Sequence, residues 1–430
     1  MNHFKLTVLS WLQRVLAIGS ALLLMRLVSS VYGDAGVIFI GVTSAISGWI
    51  GMFDLGSFIV APQLVSRNFR EGHWRSSIAF VSLGLGVLAM LLMFGSVLLW
   101  IMFGWGWPAA ILQHADYRWI SILFLVSALG IGGSLGWRWR IARGEPQRAI
   151  GLQVLAQVLG TVGATSYIIT HHKNADLAVS ALISIFPQLA VQQFYLWSAI
   201  VEGGRNVWYF FGALPSRVRR VLARRHAKSL LFSAMCMAIH QSDVLMVASL
   251  ADQGALLASY ILASKIFFSF IPIISAALQS HAPDLTRCWS DRDMLGMRKA
   301  ILQVLIANML AAAVFTIFIA TQRAWIFPLL APGSTEIPSA SLLWFFGIYL
   351  LLRVWTDLWS QVLLGASDFW SNIIIAGVQA LITTALMMIM VPFWGGLGAV
   401  LALIFGFLGT VSWFLPWRVA CQLGKLPIWR

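Results

Sequence analysis

The sequence predicts an all-α polytopic membrane protein with about twelve transmembrane helices in two groups of six. Three observations carry this. Of the 430 residues, 60% are hydrophobic and only 10% charged, where a soluble chain carries about a quarter charged residues. Apolar runs of membrane-spanning length, about 18 residues or more, recur along the whole chain. The basic residues also fall on alternate sides of those runs, the asymmetry that retention of Lys and Arg in the cytoplasm imposes during insertion.

The first six spans fall at 9–31, 36–61, 76–104, 118–137, 147–170 and 177–201. Met1 to Ser10 is short and mixed, and no small-residue cleavage site follows, so a cleavable signal peptide is not expected. A basic run then stretches from Glu202 to Lys228. It holds Arg205, Arg217, Arg219, Arg220, Arg224, Arg225 and Lys228 against the single acid Glu202. Flanked so closely by apolar runs, it reads as a cytoplasmic loop and not as a nucleic-acid patch. It links an N-terminal lobe, 1–201, to a C-terminal lobe, 229–430. The second six spans fall at 229–250, 256–280, 300–327, 340–364, 370–391 and 396–417.

With the amino terminus in the cytoplasm, 22 basic residues lie on inner segments and three, Arg118, Lys173 and Arg323, on outer ones. Adding or removing one helix in the middle would collapse that split, so both termini are placed in the cytoplasm. The two halves also echo each other. Asp34-Ala-Gly36 matches Asp252-Gln-Gly254, Gly144 matches Gly365, and residues 178–186 match 399–407 at six of nine positions, with offsets of 218 to 221. Same-phase repeats of six spans would be related by an axis along the membrane normal, with a site at their interface.

Several function classes are excluded by what these segments hold. The longest outer segment, about Gly104 to Arg118, leaves no room for an extracytoplasmic catalytic domain, so an enzyme is not expected. No glycine-rich loop is followed by a phosphate-binding Lys, so nucleotide hydrolysis is not expected either. His171-His172 reads as a solvated outer turn and not as a metal site. Cys236, Cys288 and Cys421 are odd in number and widely spaced, without metal or disulfide spacing. Pro187 and Pro272 fall inside spans six and eight and should bend them.

The functional signal lies in seven ionisable residues inside spans: Arg14, Arg26, Asp54, Asp243, Lys265, Arg353 and Asp357. At roughly 3 kcal/mol each they would cost on the order of 20 kcal/mol facing lipid, so they must pair, snorkel or face a wet cavity. Depth matching allows Arg14 to pair with Asp54 and Asp243 with Lys265. Arg353 and Asp357 stand at i and i+4 on one face. Arg26 is left to snorkel or to reach Asp34. The functional alternative puts the same groups on a cavity. There Arg353, Lys265, Arg26 and Arg14 would hold an anionic head group, and Asp243, with Asp54, Asp357 and His240, would serve ion coupling or structural pairing. No cofactor and no metal is expected; a coupling H+ or Na+ is the one ion the pattern allows.

The stretch Arg26-Leu-Val-Ser-Ser-Val-Tyr-Gly-Asp-Ala-Gly36, followed by Met52-Phe-Asp-Leu-Gly56, resembles the start of the polysaccharide repeat-unit flippases. These belong to the multidrug/oligosaccharidyl-lipid/polysaccharide exporter superfamily. His240-Gln-Ser-Asp-Val-Leu-Met246 with Ala258-Ser-Tyr260, and Arg353 to Asp368 ending Leu364-Gly-Ala-Ser-Asp368, are similar to that family's seventh, eighth and tenth-to-eleventh segments. The resemblance implies two six-helix lobes in a V around a central cavity. It also implies movement of an undecaprenyl-diphosphate-linked oligosaccharide across a bacterial inner membrane for O-antigen or exopolysaccharide synthesis, with a polymerase and chain-length regulator as neighbours. A multidrug exporter of the same superfamily and a membrane polysaccharide polymerase or ligase are the alternatives.

Overall fold

The computed structural model describes residues 3–52, 146–203, 243–250, 254–290, 293–365 and 369–424, with the single positions Leu231, Met235 and Ile239. The predicted third and fourth spans, Asp54, His240 and the basic linker beyond Gly203 lie outside them. All regular structure among the described residues is helical, as expected where every backbone polar group must be satisfied within its own segment. The elements are α1 (His3–Met52), α2 (Pro146–His171), α3 (Leu177–Gly203), α4 (Gly254–Ser290), α5 (Met294–Thr321), α6 (Arg323–Leu330), α7 (Ala340–Gly365), α8 (Phe369–Gly409) and α9 (Val411–Gly424). Residues 243–250 are helical as well. Seven stretches among the described residues are long and apolar enough to cross a membrane. Two of them are double, because α1 and α8 each join two helices across a kink.

The chain divides into two compact units, Met1–Ala234 and Met235–Arg430. In the first, the predicted gap between spans one and two shrinks to one residue: Gly33 sits at φ 60°, ψ −139°, a conformation that glycine reaches without a Cβ penalty. A short 3₁₀ turn, His172–Asn174, joins α2 to α3. His172 itself has φ 47°. The Asp176 carboxylate accepts from the Ala178 amide at 2.8 Å at the head of α3, satisfying an otherwise orphaned donor. The Tyr32 hydroxyl donates to the carbonyls of His172, at 3.3 Å, and Ala175. That contact ties the break in α1 to this turn.

Helix α2 packs on both α1 and α3. Its buried face is a stripe of small residues: Ala156 and Ala164 are buried, and between them Gly160 lies against the Ser184 backbone of α3. Small residues spaced four apart let helix backbones approach in a membrane, where packing and not water exclusion drives association. Pro187 is carried inside α3, and Pro272 inside α4, without ending either helix.

In the second unit α7 is the hub, packed against α4, α5, α8 and α9. Its core is aromatic. Tyr260, Phe267, Phe346 and Tyr349 are among the largest fully buried side chains. Phe346 stacks on Phe267 with centroids 5.5 Å apart and meets Tyr260 at 5.5 Å. Some buried hydroxyls bond back to their own helices; Thr316 donates to Ala312 O at 2.8 Å and Ser264 to Ile261 O at 3.0 Å. Gly395, at φ 54°, kinks α8 between the predicted eleventh and twelfth spans.

The ninth span ends earlier than expected. Its apolar run extends over 300–327, but α5 stops at Thr321 and the short helix α6 follows, packed back on α5. The polar trio Thr321-Gln-Arg is the cause. The Thr321 hydroxyl bonds back to Ile317 O at 2.7 Å, and Arg323 Nη1 reaches Pro338 O at 3.2 Å. Beyond it, α6 buries Ile326 and Phe327 and exposes Trp325. Residues 322–339 therefore form a longer connection than the segment 328–339 expected between these spans.

Candidate functional site

Helix α7 presents a polar ladder at one-turn spacing, Tyr349, Arg353 and Asp357. Positions i, i+4 and i+8 share a helical face. Arg353 Nε donates to both Asp357 oxygens, at 3.1 Å to Oδ1 and 3.0 Å to Oδ2. Its Nη1 makes a long bond of 3.5 Å to the Tyr349 hydroxyl. The side chains are 17% exposed for Arg353 and 35% for Asp357. A guanidinium has five N–H donors, so the Nη2 edge is left with no described partner. The sequence expectation that these two residues pair is thus what the structure contains.

The second polar group lies on the helix of residues 243–250. Asp243 is fully buried. Its Oδ2 accepts from the Tyr260 hydroxyl at 2.6 Å, while Oδ1 has no hydrogen-bond partner among the described residues. Asp243 and Lys265 lie within electrostatic reach of one another without forming an ion pair. A tyrosine hydroxyl makes the hydrogen bond that depth matching leaves open to the lysine. Lys265 is half-buried on α4 and makes no hydrogen bond to a described residue.

The two polar groups are joined by one aromatic wall. Tyr260 packs on Phe346, Phe346 meets Phe268 edge-on at 6.2 Å, and Phe268 meets Tyr349 at 5.9 Å. Tyr260 also fills the space beside Gly396, where any Cβ would strike its ring. Five of these groups, Asp243, Tyr260, Lys265, Tyr349 and Arg353, therefore share one unit.

The N-terminal candidates are distributed differently. Arg26 is exposed on α1, while Arg14 is half-buried. Its proposed partner, Asp54, lies outside the described residues, as does His240. A cleft of about 290 Å³ opens between α1 and α3, lined by residues including Leu24, Val28, Ile40, Thr43, Ser180 and Ser184. None of its lining residues is charged. Among the described residues no group of His, Cys, Asp and Glu is placed to hold a metal ion.

Sequence reasoning missed the two tyrosines. A signal for Tyr349 existed, since it stands one turn before Arg353 on the same face. Tyr260 could not be matched to Asp243, because the two sit on different helices 17 positions apart.

Removing only the Tyr260 hydroxyl, in Tyr260→Phe, is expected to leave the buried Asp243 carboxyl without its hydrogen bond. The cost is about 1–3 kcal/mol for an unsatisfied buried group. Thermal unfolding of the detergent-purified protein checks this, and an unchanged Tm would show that Asp243 does not depend on Tyr260.

No known family model matches the chain. Its fold is nevertheless that of a membrane transporter class. An inward-facing multidrug resistance MATE family transporter of the MOP superfamily superposes with a TM-score of 0.72 at 14% identity, covering 96% of both chains. The lipid II flippase MurJ, in its inward closed conformation, superposes at 0.64 and 12% identity, covering 97% of this chain and 87% of its own. The chain is thus a multi-pass membrane protein with the fold of the multidrug/oligosaccharidyl-lipid/polysaccharide exporters. In sequence it is similar to the "Putative O-antigen transporter" of Salmonella typhi, 20% identical over 96% of this chain and 95% of that protein. This likeness agrees with the resemblance to polysaccharide exporters read from the sequence.

Proposed function

We propose that this protein is a flippase for undecaprenyl-diphosphate-linked oligosaccharide repeat units, moving them from the cytoplasmic to the periplasmic leaflet of a bacterial inner membrane for O-antigen or exopolysaccharide synthesis. The observation that carries this is Arg353. It is a guanidinium inside a membrane-spanning helix, held by Asp357 through Nε, with its Nη2 edge unengaged among the described residues. A planar fork of that kind suits a phosphate oxygen pair. Lys265, on a helix that packs against α7, adds a second cation that no described residue engages by a hydrogen bond. A polar glycan and a diphosphate cannot cross hydrocarbon unaided. In this reading the head group passes through a protein cavity by alternating access, while the polyprenyl tail stays in lipid. Both termini are cytoplasmic, Arg26 and Arg14 contribute positive charge from the first span, and Asp243 is the group at which H+ or Na+ would couple.

The test is surface-polysaccharide export in a deletion strain complemented with wild type or Lys265→Ala at matched membrane levels, with lipid-linked units assayed for leaflet accessibility. Complete units trapped on the cytoplasmic face in the deletion, and about tenfold or more in Lys265→Ala relative to wild type, are expected if the cation contributes a charge-assisted bond. Units that reach the outer leaflet but stay unpolymerised would instead make the protein part of polymerisation. The multidrug transporter on the same fold favours one competing reading, drug export, in which the deletion raises sensitivity to cationic dyes and leaves surface polysaccharide normal.

A further inference from the structure

Arg353 has two neighbours on its own helix, and the second has no role in the reading above. Asp357 fixes the Nε edge. Tyr349, one turn away, contacts the Nη1 end with its hydroxyl at 3.5 Å. The tyrosine is completely buried, so its ring has little freedom. It stands edge-on to Phe407 of α8 with centroids 5.4 Å apart and tilted against Phe268 of α4 at 5.9 Å. A buried tyrosine hydroxyl normally has a partner, and this one is supplied with Arg353. The guanidinium is thereby held from both ends, by a carboxylate at Nε and by a rigidly packed phenol at Nη1.

We infer that Tyr349 is the positioning residue of the cationic site, acting through Arg353 to aim the Nη2 edge at the anionic group of the substrate. The inference rests on the proposal that Arg353 binds that anion. It assigns Tyr349 no contact with the substrate itself.

The experiment uses the purified full-length protein in nanodiscs, titrated separately with undecaprenyl diphosphate and with uncharged undecaprenol. Tyr349→Phe keeps the ring and removes the hydroxyl. It is expected to weaken undecaprenyl diphosphate binding about 5- to 10-fold, the effect of one net hydrogen bond, and to leave undecaprenol binding unchanged. In an Arg353→Ala background the same substitution is expected to have no further effect, because the two residues act as one unit. Wild-type affinity for the diphosphate in Tyr349→Phe would overturn the inference, and so would an equal loss for both lipids or a loss that persists without Arg353. If Arg353→Ala itself leaves diphosphate affinity intact, the anion-binding role of Arg353 fails and Tyr349 falls with it. That result is distinct from the one in which Arg353→Ala weakens binding and Tyr349→Phe does not. Should Tyr349→Phe not accumulate, Phe407→Leu loosens the same ring from the opposite side. It is expected to cost about two- to threefold in diphosphate affinity alone; no change there overturns the inference equally.

Discussion

Arg353→Ala is expected to abolish polysaccharide export and also to lower the amount of folded protein in the membrane. Both effects follow from the pair on α7. Removing the guanidinium leaves the Asp357 carboxylate without its two bonds from Nε, in a helix that packs against four others. Breaking a buried pair on one side costs about 3–5 kcal/mol, and the partial exposure of Asp357 places this case at or below the lower figure. A loss of export in the single substitution therefore mixes stability with function. The double substitution Arg353→Asp with Asp357→Arg separates them, because the charges exchange places on the same helical face. Membrane levels are expected to return close to wild type while export stays below about a tenth of it, since the displaced guanidinium lies one turn from its proper position. Restored export in the exchanged protein would make the pair purely structural. Quantitative immunoblotting of membranes beside lipopolysaccharide or exopolysaccharide analysis reads both quantities.

Gly160→Ala carries the second large effect, and it acts on the other unit. A Cβ at Gly160 would collide with the backbone carbonyl of Ser184 in α3. A flexible side chain could yield to such a contact, but a helix backbone cannot, so α2 and α3 must separate along the stripe of Ala156, Gly160 and Ala164. Overpacking of this sort costs about 1–3 kcal/mol, and the rigidity of the obstacle puts it at the top of that range. A methyl added at Gly151, on the same helix, would meet nothing within 4 Å, so Gly151→Ala is the matched control and is expected to be neutral. Thermal unfolding in detergent distinguishes them: a clear drop in Tm for the first and none for the second. Equal stability of the two variants would mean that the close approach of α2 and α3 is not required.

How much of this could be read from the chain depends on whether a feature is local. The break between the first two spans announced itself in Gly33-Asp-Ala-Gly36, and the Arg353–Asp357 pair in a four-residue spacing. Both are set by contacts within one segment. The early end of α5 was hidden because the apolar residues 324–330 kept the average hydropathy high across the Thr321-Gln-Arg exit. The hub position of α7 had no sequence signature, since it is set by contacts with four other segments. The hydrogen bond from Tyr260 to Asp243 was out of reach for a related reason. Depth matching weighed only charged partners for the buried acid, whereas one of its oxygens accepts from a hydroxyl on a separate helix, with Lys265 also within electrostatic reach. Buried tyrosines in apolar helices are thus as informative as the charges themselves.

The arrangement of counter-charges also bears on how the protein is made. Helices enter the bilayer in the order of their synthesis, and each must be tolerated by lipid before its later neighbours exist. Helix α7 brings its own neutralising partner with it, because the acid and the base lie a single turn apart on one segment. Its passage out of the insertion machinery therefore does not wait for α8 and α9. Asp243 has no such companion on its own described stretch of chain; the hydroxyl that satisfies it arrives with α4. The seventh and eighth spans are thus expected to leave the translocon as a hairpin and the tenth to leave by itself, which makes the biogenesis of the C-terminal unit sequential around a self-sufficient centre.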